Sequence, residues 1–363
     1  MKAIFGKSQR VKEGECDPTK RFKLEDTLGK GAFATVYKAL DRSNKSHVAI
    51  KKLALNSRGE FPVEEYEIGR ELKHPNIVTT IDCFYSKDSM YMVLELVNEG
   101  DLFTKLDPSG SGLPESTARK YMMQLASGLA FMHSKDVVHC DIKPENLLVH
   151  NGAVKICDLG LAGKSGTARH GSATGTGAYM APELLNRKTT NPYHIEKAQD
   201  VWSFGIVLYA VLFADLPWEK AKPKDADFRL FCTLGGVSPR LHPFHFTSAP
   251  MMQFLRMVLN IIPKHRPTMA NCVDFFSRKI AFYVTDKSNL KISYGLKEIK
   301  EKVHKTKEWE FDTGHSGAHH AETASNTTSS SSLPSMMDMM QGRSFEEARP
   351  KRRVGQAGGQ AAV

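Results

Sequence analysis

Hydrophobic and polar positions divide the chain into stretches of different period. Residues 1–21 are polar and basic, carry Pro18 near their end and read as a tail. From Phe22 the pattern becomes that of strands. FKLEDTLGKG (22–31) and ATVYKALD (34–41) are two β-prone runs either side of a glycine turn, which predicts a hairpin, and HVAIKKLAL (47–55) predicts a third strand. Helix formers fill Val63 to Lys73, and His74-Pro75 ends that helix. Ile77–Tyr85 and Met90–Leu96 read as two further strands. The expected first unit is therefore a five-strand sheet with one helix.

After Gly100 the period becomes mostly helical. A short helix is expected over Leu102–Leu106 and a longer one from Pro114 to His133, with Met122, Leu125, Ala126 and Leu129 on one face. Short apolar pieces follow at 137–138, 147–149 and 154–156, then helices over 198–213, 250–259 and 269–282. The longest apolar run, Val201 to Trp218, is interrupted by Asp215 and Pro217, which predicts a buried helix and no membrane span. Beyond Tyr283 the composition shifts. Residues 284–312 read as a charged helix, and 313–363 lack periodicity and read as a disordered tail.

Composition narrows the classes. The chain has 363 residues, 41% hydrophobic and 25% charged, which fits a folded protein and excludes disorder throughout. The net charge of +10 is too diffuse to argue nucleic-acid binding, and no nucleic-acid partner is expected. The six cysteines form no close pair, which excludes a zinc ribbon or CxxC site and suits reduced thiols in an intracellular protein. The opening segment, MKAIFGKSQRVKEGE, has too short an apolar stretch for a secretory signal. The cluster Arg349, Lys351, Arg352 and Arg353 reads either as a solvated charge run or as a nuclear-import signal.

Chemistry enters with the glycines. Leu28-Gly29-Lys30-Gly31-Ala32-Phe33-Ala34-Thr35-Val36 has the form GxGxxA. A dinucleotide site would need a helix next, whereas a strand follows here, so a hairpin folded over phosphates fits better. Val48-Ala49-Ile50-Lys51 then supplies a lysine that can meet phosphates if a carboxylate holds it, and Glu64, Glu65 and Glu67 lie on the next helix. Further on stand His139-Cys140-Asp141-Ile142-Lys143-Pro144-Glu145-Asn146, Asp158-Leu159-Gly160 and Ala181-Pro182-Glu183. Five such motifs in one order form a highly specific signature.

Over residues 22–283 the chain resembles a eukaryotic serine/threonine protein kinase of the calcium/calmodulin-kinase-like group, most similar to DNA-damage checkpoint effector kinases. HPNIV, ELVNEGDLF, DIKPENLL, DVWSFGIVL and LPW carry that likeness. It implies an α+β, two-lobed fold, with a β-rich lobe over 22–96 and a helical lobe over 97–283. ATP and Mg²⁺ would bind between the lobes. Lys51 would hold the α- and β-phosphates, and Glu65 would pair with it, Glu64 being the alternative. Asp141 would take or orient the substrate hydroxyl proton, and Lys143 would stabilise the transferring phosphoryl group. Asn146 and Asp158 would hold Mg²⁺. Leu28, Gly29 and Gly31 would cover the nucleotide. Val36, Ala49 and Leu148 would sandwich adenine, Leu94 would gate the pocket, and Glu95 and Val97 would offer backbone groups. Thr176 would hydrogen-bond near Asp141, Glu183 would pair with Arg266, and Asp200 would anchor the catalytic loop.

Substrates implied by the resemblance are protein Ser/Thr hydroxyls with an upstream basic residue, met by Asp101 and Glu145. A monomer in the nucleus or cytoplasm is expected, with no membrane partner. A pseudokinase or scaffold is the alternative from another class; it would usually lack one of Lys51, Asp141, Asn146 or Asp158. Three departures stand out: Ala34 for a third glycine, Leu159 for the usual phenylalanine, and Cys140 for the arginine that ordinarily meets a phosphate in the activation segment. A cysteine cannot make that charge-assisted pair. Loop phosphorylation is accordingly not expected to be the main switch, although Ser165, Thr167, Ser172 and Thr174 are available hydroxyls.

Overall fold

The computed structural model describes residues 18–31, 34–55, 61–86, 88–106, 112–233 and 247–283. The expected charged helix over 284–312, the tail over 313–363 and the basic cluster near 351 lie outside the described residues.

The first lobe comprises α1 (Pro18–Arg21), β1 (Phe22–Lys30), β2 (Ala34–Asp41), β3 (His47–Ala54), α2 (Val63–Glu71), β4 (Thr80–Tyr85) and β5 (Ser89–Glu95). Its five strands pair antiparallel in the order β1-β2-β3-β5-β4. Both faces of β3 are buried. Val48 and Ile50 join Phe22, Ala39 and Val93 on one side, while Ala49 and Leu53 join Val36, Met92 and Leu94 on the other. The period of two puts Lys51 on the second face, toward the other lobe.

The second lobe holds α3 (Leu102–Lys105), α4 (Glu115–Ser134), β6 (Val137–Val138), β7 (Leu147–His150), β8 (Ala153–Ile156), β9 (Gly163–Lys164), β10 (Ala168–Arg169), α5 (Pro182–Leu185), β11 (Tyr193–His194), α6 (Lys197–Phe213), α7 (Ala226–Thr233), α8 (Ala249–Val258) and α9 (Met269–Ser277). Every residue of α6 from Gln199 to Phe213 is buried, and from Phe204 onward the helix is hydrophobic all round, as expected at a domain centre. The helix ends where Ala214 turns left-handed at φ 49°. Among the described residues, no helix is long and apolar enough to cross a membrane.

Several boundaries differ from the sequence pattern for identifiable reasons. The strand expected from Ile77 starts at Thr80, because Ile77 and Val78 are diverted to the second lobe. Ile77 forms a parallel bridge with Ile156, and the Val78 N–H donates to the Ile156 carbonyl at 2.8 Å. The last helix stops at Ser277, and the chain beyond it is pinned by Arg119, which donates to the carbonyls of Arg278 and Ile280. Within the expected polar tail, Pro18–Arg21 forms a helical turn. The Arg21 guanidinium reaches Asp41 at 2.8 Å and Asp82 at 3.2 Å and lies over the Phe22 ring, so this end is docked on the sheet. The helices α5 and α7 span only four and eight residues, too short for the sequence pattern to single them out.

Arg21, together with the Ser43 hydroxyl and amide, holds the Asp41 carboxyl down to about 2. A carboxyl lowered in the folded state stabilises above its ordinary pKa, and that stability is lost as pH falls from about 4 toward 2. Chemical denaturation of Arg21→Ala should therefore show a loss of about 1 kcal/mol near neutrality that shrinks in this acid window. An equal loss at both pH values would contradict the assignment.

Candidate active site

Lys51 stands at the centre of the cleft between the lobes and is only 4% exposed. Its ammonium donates to Glu65 Oε1 at 2.6 Å and to Asp158 Oδ1 at 2.7 Å. Burial alone would lower the lysine pKa, but the two carboxylates outweigh it and hold the ammonium above its usual value. Burial pushes Asp158 the other way, yet Lys51 and the Gly160 N–H keep its carboxyl below the ordinary range. Glu64 and Glu67 are exposed, so Glu65 is the partner. Helix docking decides this. A side chain at Gly69, one turn after Glu65, would come within 2.3 Å of Thr80 Oγ1, and the glycine lets α2 lie against β4 and Leu159.

The residues expected around adenine come together from both lobes. Val36 and Ala49 of the sheet, Leu94, Val97 and Leu148 of β7 share one buried apolar cluster, with Cys157 beside them. Leu28 lies outside that cluster and is 37% exposed. Gly29 pairs with Val36 across the hairpin, and the Gly31 N–H donates to the Ala34 carbonyl at 2.8 Å to close the turn. The Glu95 carboxylate, whose role the sequence did not disclose, accepts from the Thr79 N–H and from Lys155 Nζ, both at 2.8 Å. It thereby fixes the link between the lobes.

The loop carrying Asp141 is built on a buried carboxylate. Asp200 is fully buried and accepts the N–H groups of His139 at 2.9 Å and Cys140 at 3.0 Å, besides His133 Nε2 at 2.8 Å. Burial would raise its pKa, but these donors hold it down. They also hold Cys140 in the left-handed region at φ 68°, a conformation that costs energy for a side-chain-bearing residue. The His139 ring lies between the Asp141 N–H, which donates to Nδ1, and the Cys157 carbonyl, which accepts from Nε2 at 2.9 Å. These partners fix the tautomer with its proton on Nε2.

Asp141 is gripped on both carboxylate oxygens. Oδ1 accepts from the Thr176 N–H at 2.8 Å and its hydroxyl at 3.0 Å. Oδ2 faces Lys143 Nζ at 2.9 Å and Asn146 Nδ2 at 3.1 Å. Lys143 also donates to Thr176 Oγ1 at 2.9 Å, which closes the ring. The activation segment crosses this loop at Gly175, whose φ of +122° and approach of a Cβ position to 3.0 Å from the Cys140 carbonyl leave no room for a side chain. Beyond it, Glu183 and Arg266 form a two-pronged pair with both contacts at 2.7 Å. Leu159, in the phenylalanine position, is buried in the main core with Leu72 and Ile77.

Comparison with known proteins agrees with this geometry. Residues 22–275 match the protein kinase domain. The serine/threonine-protein kinase CHK1 of Saccharomyces cerevisiae is 34% identical over 261 residues, covering 68% of this chain and 49% of the yeast protein. An Aurora kinase of Yarrowia lipolytica is 33% identical over 251 residues, with 68% and 65% covered. The CBL-interacting protein kinase 9 of Oryza sativa subsp. japonica is 35% identical over 265 residues, with 70% and 56% covered. The chain spans about half to two thirds of the length of these curated relatives. It belongs to the protein kinase domain family.

Replacing Asp200 with alanine would leave the buried N–H groups of His139 and Cys140 without an acceptor. Removing one side of such a buried network costs roughly 3–5 kcal/mol. Chemical denaturation of Asp200→Ala should show a loss of that order, and a loss under about 1 kcal/mol would contradict the anchoring role.

Proposed function

We propose that this chain is an ATP-dependent serine/threonine protein kinase that transfers the γ-phosphoryl group of MgATP to protein Ser and Thr hydroxyls. One observation carries it: Lys51, Asp141, Asn146 and Asp158 are all present and joined in a single hydrogen-bonded site spanning both lobes. Its halves are linked by the His139 ring and by the backbone, where the Cys157 N–H, one residue before Asp158, donates to the Asn146 carbonyl at 3.0 Å. A pseudokinase or scaffold would more usually have lost one of the four residues.

Each residue has a task suited to its surroundings. Lys51, held by Glu65, presents a fixed positive charge to the α- and β-phosphates. Val36, Ala49 and Leu148 close on the adenine, Glu95 and Val97 supply backbone groups at its edge, and Leu28, Gly29 and Gly31 cover the nucleotide. Asp141, oriented on both oxygens, accepts or aligns the proton of the incoming hydroxyl. Lys143 offsets charge on the moving phosphoryl group. Asn146 spends its amide nitrogen on Asp141 and so keeps its side-chain oxygen for a cation, and Asp158 has lone pairs beyond those facing Lys51. This all-oxygen donor set suits Mg²⁺, which when bound neutralises charge on the phosphates.

An upstream basic residue in the substrate is part of the proposal. Glu145 supports it: burial, then the nearby Asp101 and Asp141, raise its carboxyl pKa, and Glu145 Oε2 is buried without a hydrogen-bond partner among the described residues. A guanidinium would supply the missing donor. Asp101 contributes less directly, because it is buried and its Oδ1 already accepts from the Thr104 N–H at 2.8 Å as the cap of α3. A role in cell-cycle or DNA-damage checkpoint signalling, action as a monomer, and a place in the nucleus or cytoplasm are proposed with it. The motif likeness and the yeast relative support the checkpoint role.

Radiolabelled ATP transfer to an arrayed Ser/Thr peptide library tests the activity and the preference together. Wild type should phosphorylate peptides with upstream arginine, and Asp141→Asn should lose roughly 10²–10⁴-fold in rate while still binding nucleotide. Glu145→Gln should flatten the arginine preference. Nucleotide binding with no transfer by wild type would favour the pseudokinase.

A further inference from the structure

Cys140 leaves open what replaces the arginine that would meet a phosphate in the activation segment. Arg169 of β10 reaches that place. Its Nη2 donates to the Leu161 carbonyl at 2.9 Å and to the Ala162 carbonyl at 3.2 Å, directly after Asp158-Leu159-Gly160. The guanidinium also lies beside the Cys140 side chain. Burial and the Asp200 carboxylate push that thiol up to about 12, and Arg169 pulls against the rise. Gly163 makes the approach possible: a Cβ there would stand 3.1 Å from Arg169 Nη2 and 2.7 Å from Ile195 Cδ1.

The backbone around Arg169 is tied down as well. Arg169 pairs with Tyr193 and Ala168 with His194 across β10 and β11. The Gly166 N–H donates to the Ile195 carbonyl at 2.7 Å, and the Ile195 N–H to the Thr167 carbonyl at 2.9 Å. Arg187 lies over the Tyr193 ring at 4.4 Å and donates to the Gly171 carbonyl. Among the described residues no carboxylate forms an ion pair with Arg169, so its charge is satisfied by carbonyl dipoles. An arginine at position 140 would set a second guanidinium against it. The neutral thiol and Arg169 are thus matched to each other.

We propose that Arg169 is a positioning residue for phosphoryl transfer, which rests on the kinase reading above. It staples the activation segment to the turn at Leu161 and Ala162 that follows Asp158-Leu159-Gly160, and to the catalytic loop at Cys140. The segment is thereby held in the arrangement that lets Thr176 grip Asp141, without a phosphate.

The test compares phosphatase-treated wild type, Arg169→Ala, Arg169→Lys, Cys140→Arg and the double variant Cys140→Arg/Arg169→Ala. Peptide kinetics would be read beside hydrogen exchange over residues 161–176. Dephosphorylated wild type should keep its rate. Arg169→Ala should lower kcat at least ~10-fold with the KM for ATP within ~2-fold, and should speed exchange in the segment. Arg169→Lys should recover part of both. Cys140→Arg should lose activity, and adding Arg169→Ala to it should cost less than Arg169→Ala costs in wild type. Transfer by wild type only when its segment is phosphorylated, or an unchanged kcat and exchange in Arg169→Ala, would overturn this proposal alone. No transfer by wild type in either state would overturn the kinase reading, and this proposal with it.

Discussion

The buried ammonium of Lys51 is the constraint on which the rest of the molecule turns. It sits on the sheet of the first lobe, its Glu65 partner is on a helix, and its Asp158 partner belongs to the second lobe. Taking a lone ammonium out of water is costly, and the cost is offset only where carboxylates surround it. Both must arrive together, so the charge makes the relative placement of sheet, helix and second lobe a single condition. The apolar cluster of Val36, Ala49, Leu94 and Leu148 reinforces that placement without specifying it as sharply.

A second buried charge does the same for the catalytic loop. Asp200, fixed in the first turn of the buried helix α6, imposes a left-handed turn on Cys140 and so aims Asp141. From Asp141 the network passes to Thr176 and the activation segment, whose crossing at Gly175 tolerates no side chain. Each half of the site is therefore held from behind by residues that touch no substrate. Such rigid support is what positioning and electrostatic catalysis require.

What the sequence disclosed depended on how local the signal was. The strand VAIK, the loop HCDIKPEN and the DLG turn are contiguous and chemically distinctive, so Lys51, Asp141, Asn146 and Asp158 could be singled out at once. Glu65 could not be separated from Glu64 by pattern alone. The contact residue one turn on is Gly69, a position chosen for its lack of bulk, and hydrophobic periodicity does not register an absent side chain. The strand start at Thr80 was missed because Ile77 and Val78 are apolar in the right period but pair with Ile156, far along the chain. Arg169 was silent because its partners are backbone carbonyls, which every residue has. Its one sequence signal was negative, the cysteine at position 140.

The most direct test of the shared ammonium is a double-mutant cycle on unfolding free energy, using Glu65→Gln, Asp158→Asn and the pair in nucleotide-free protein. If Lys51 joins the lobes, the first substitution leaves one carboxylate and the second orphans the charge. The double variant should then lose about 1 kcal/mol or more beyond the sum of the singles. Additivity within about 0.5 kcal/mol would mean that the two carboxylates act independently, and would contradict the central role given to Lys51.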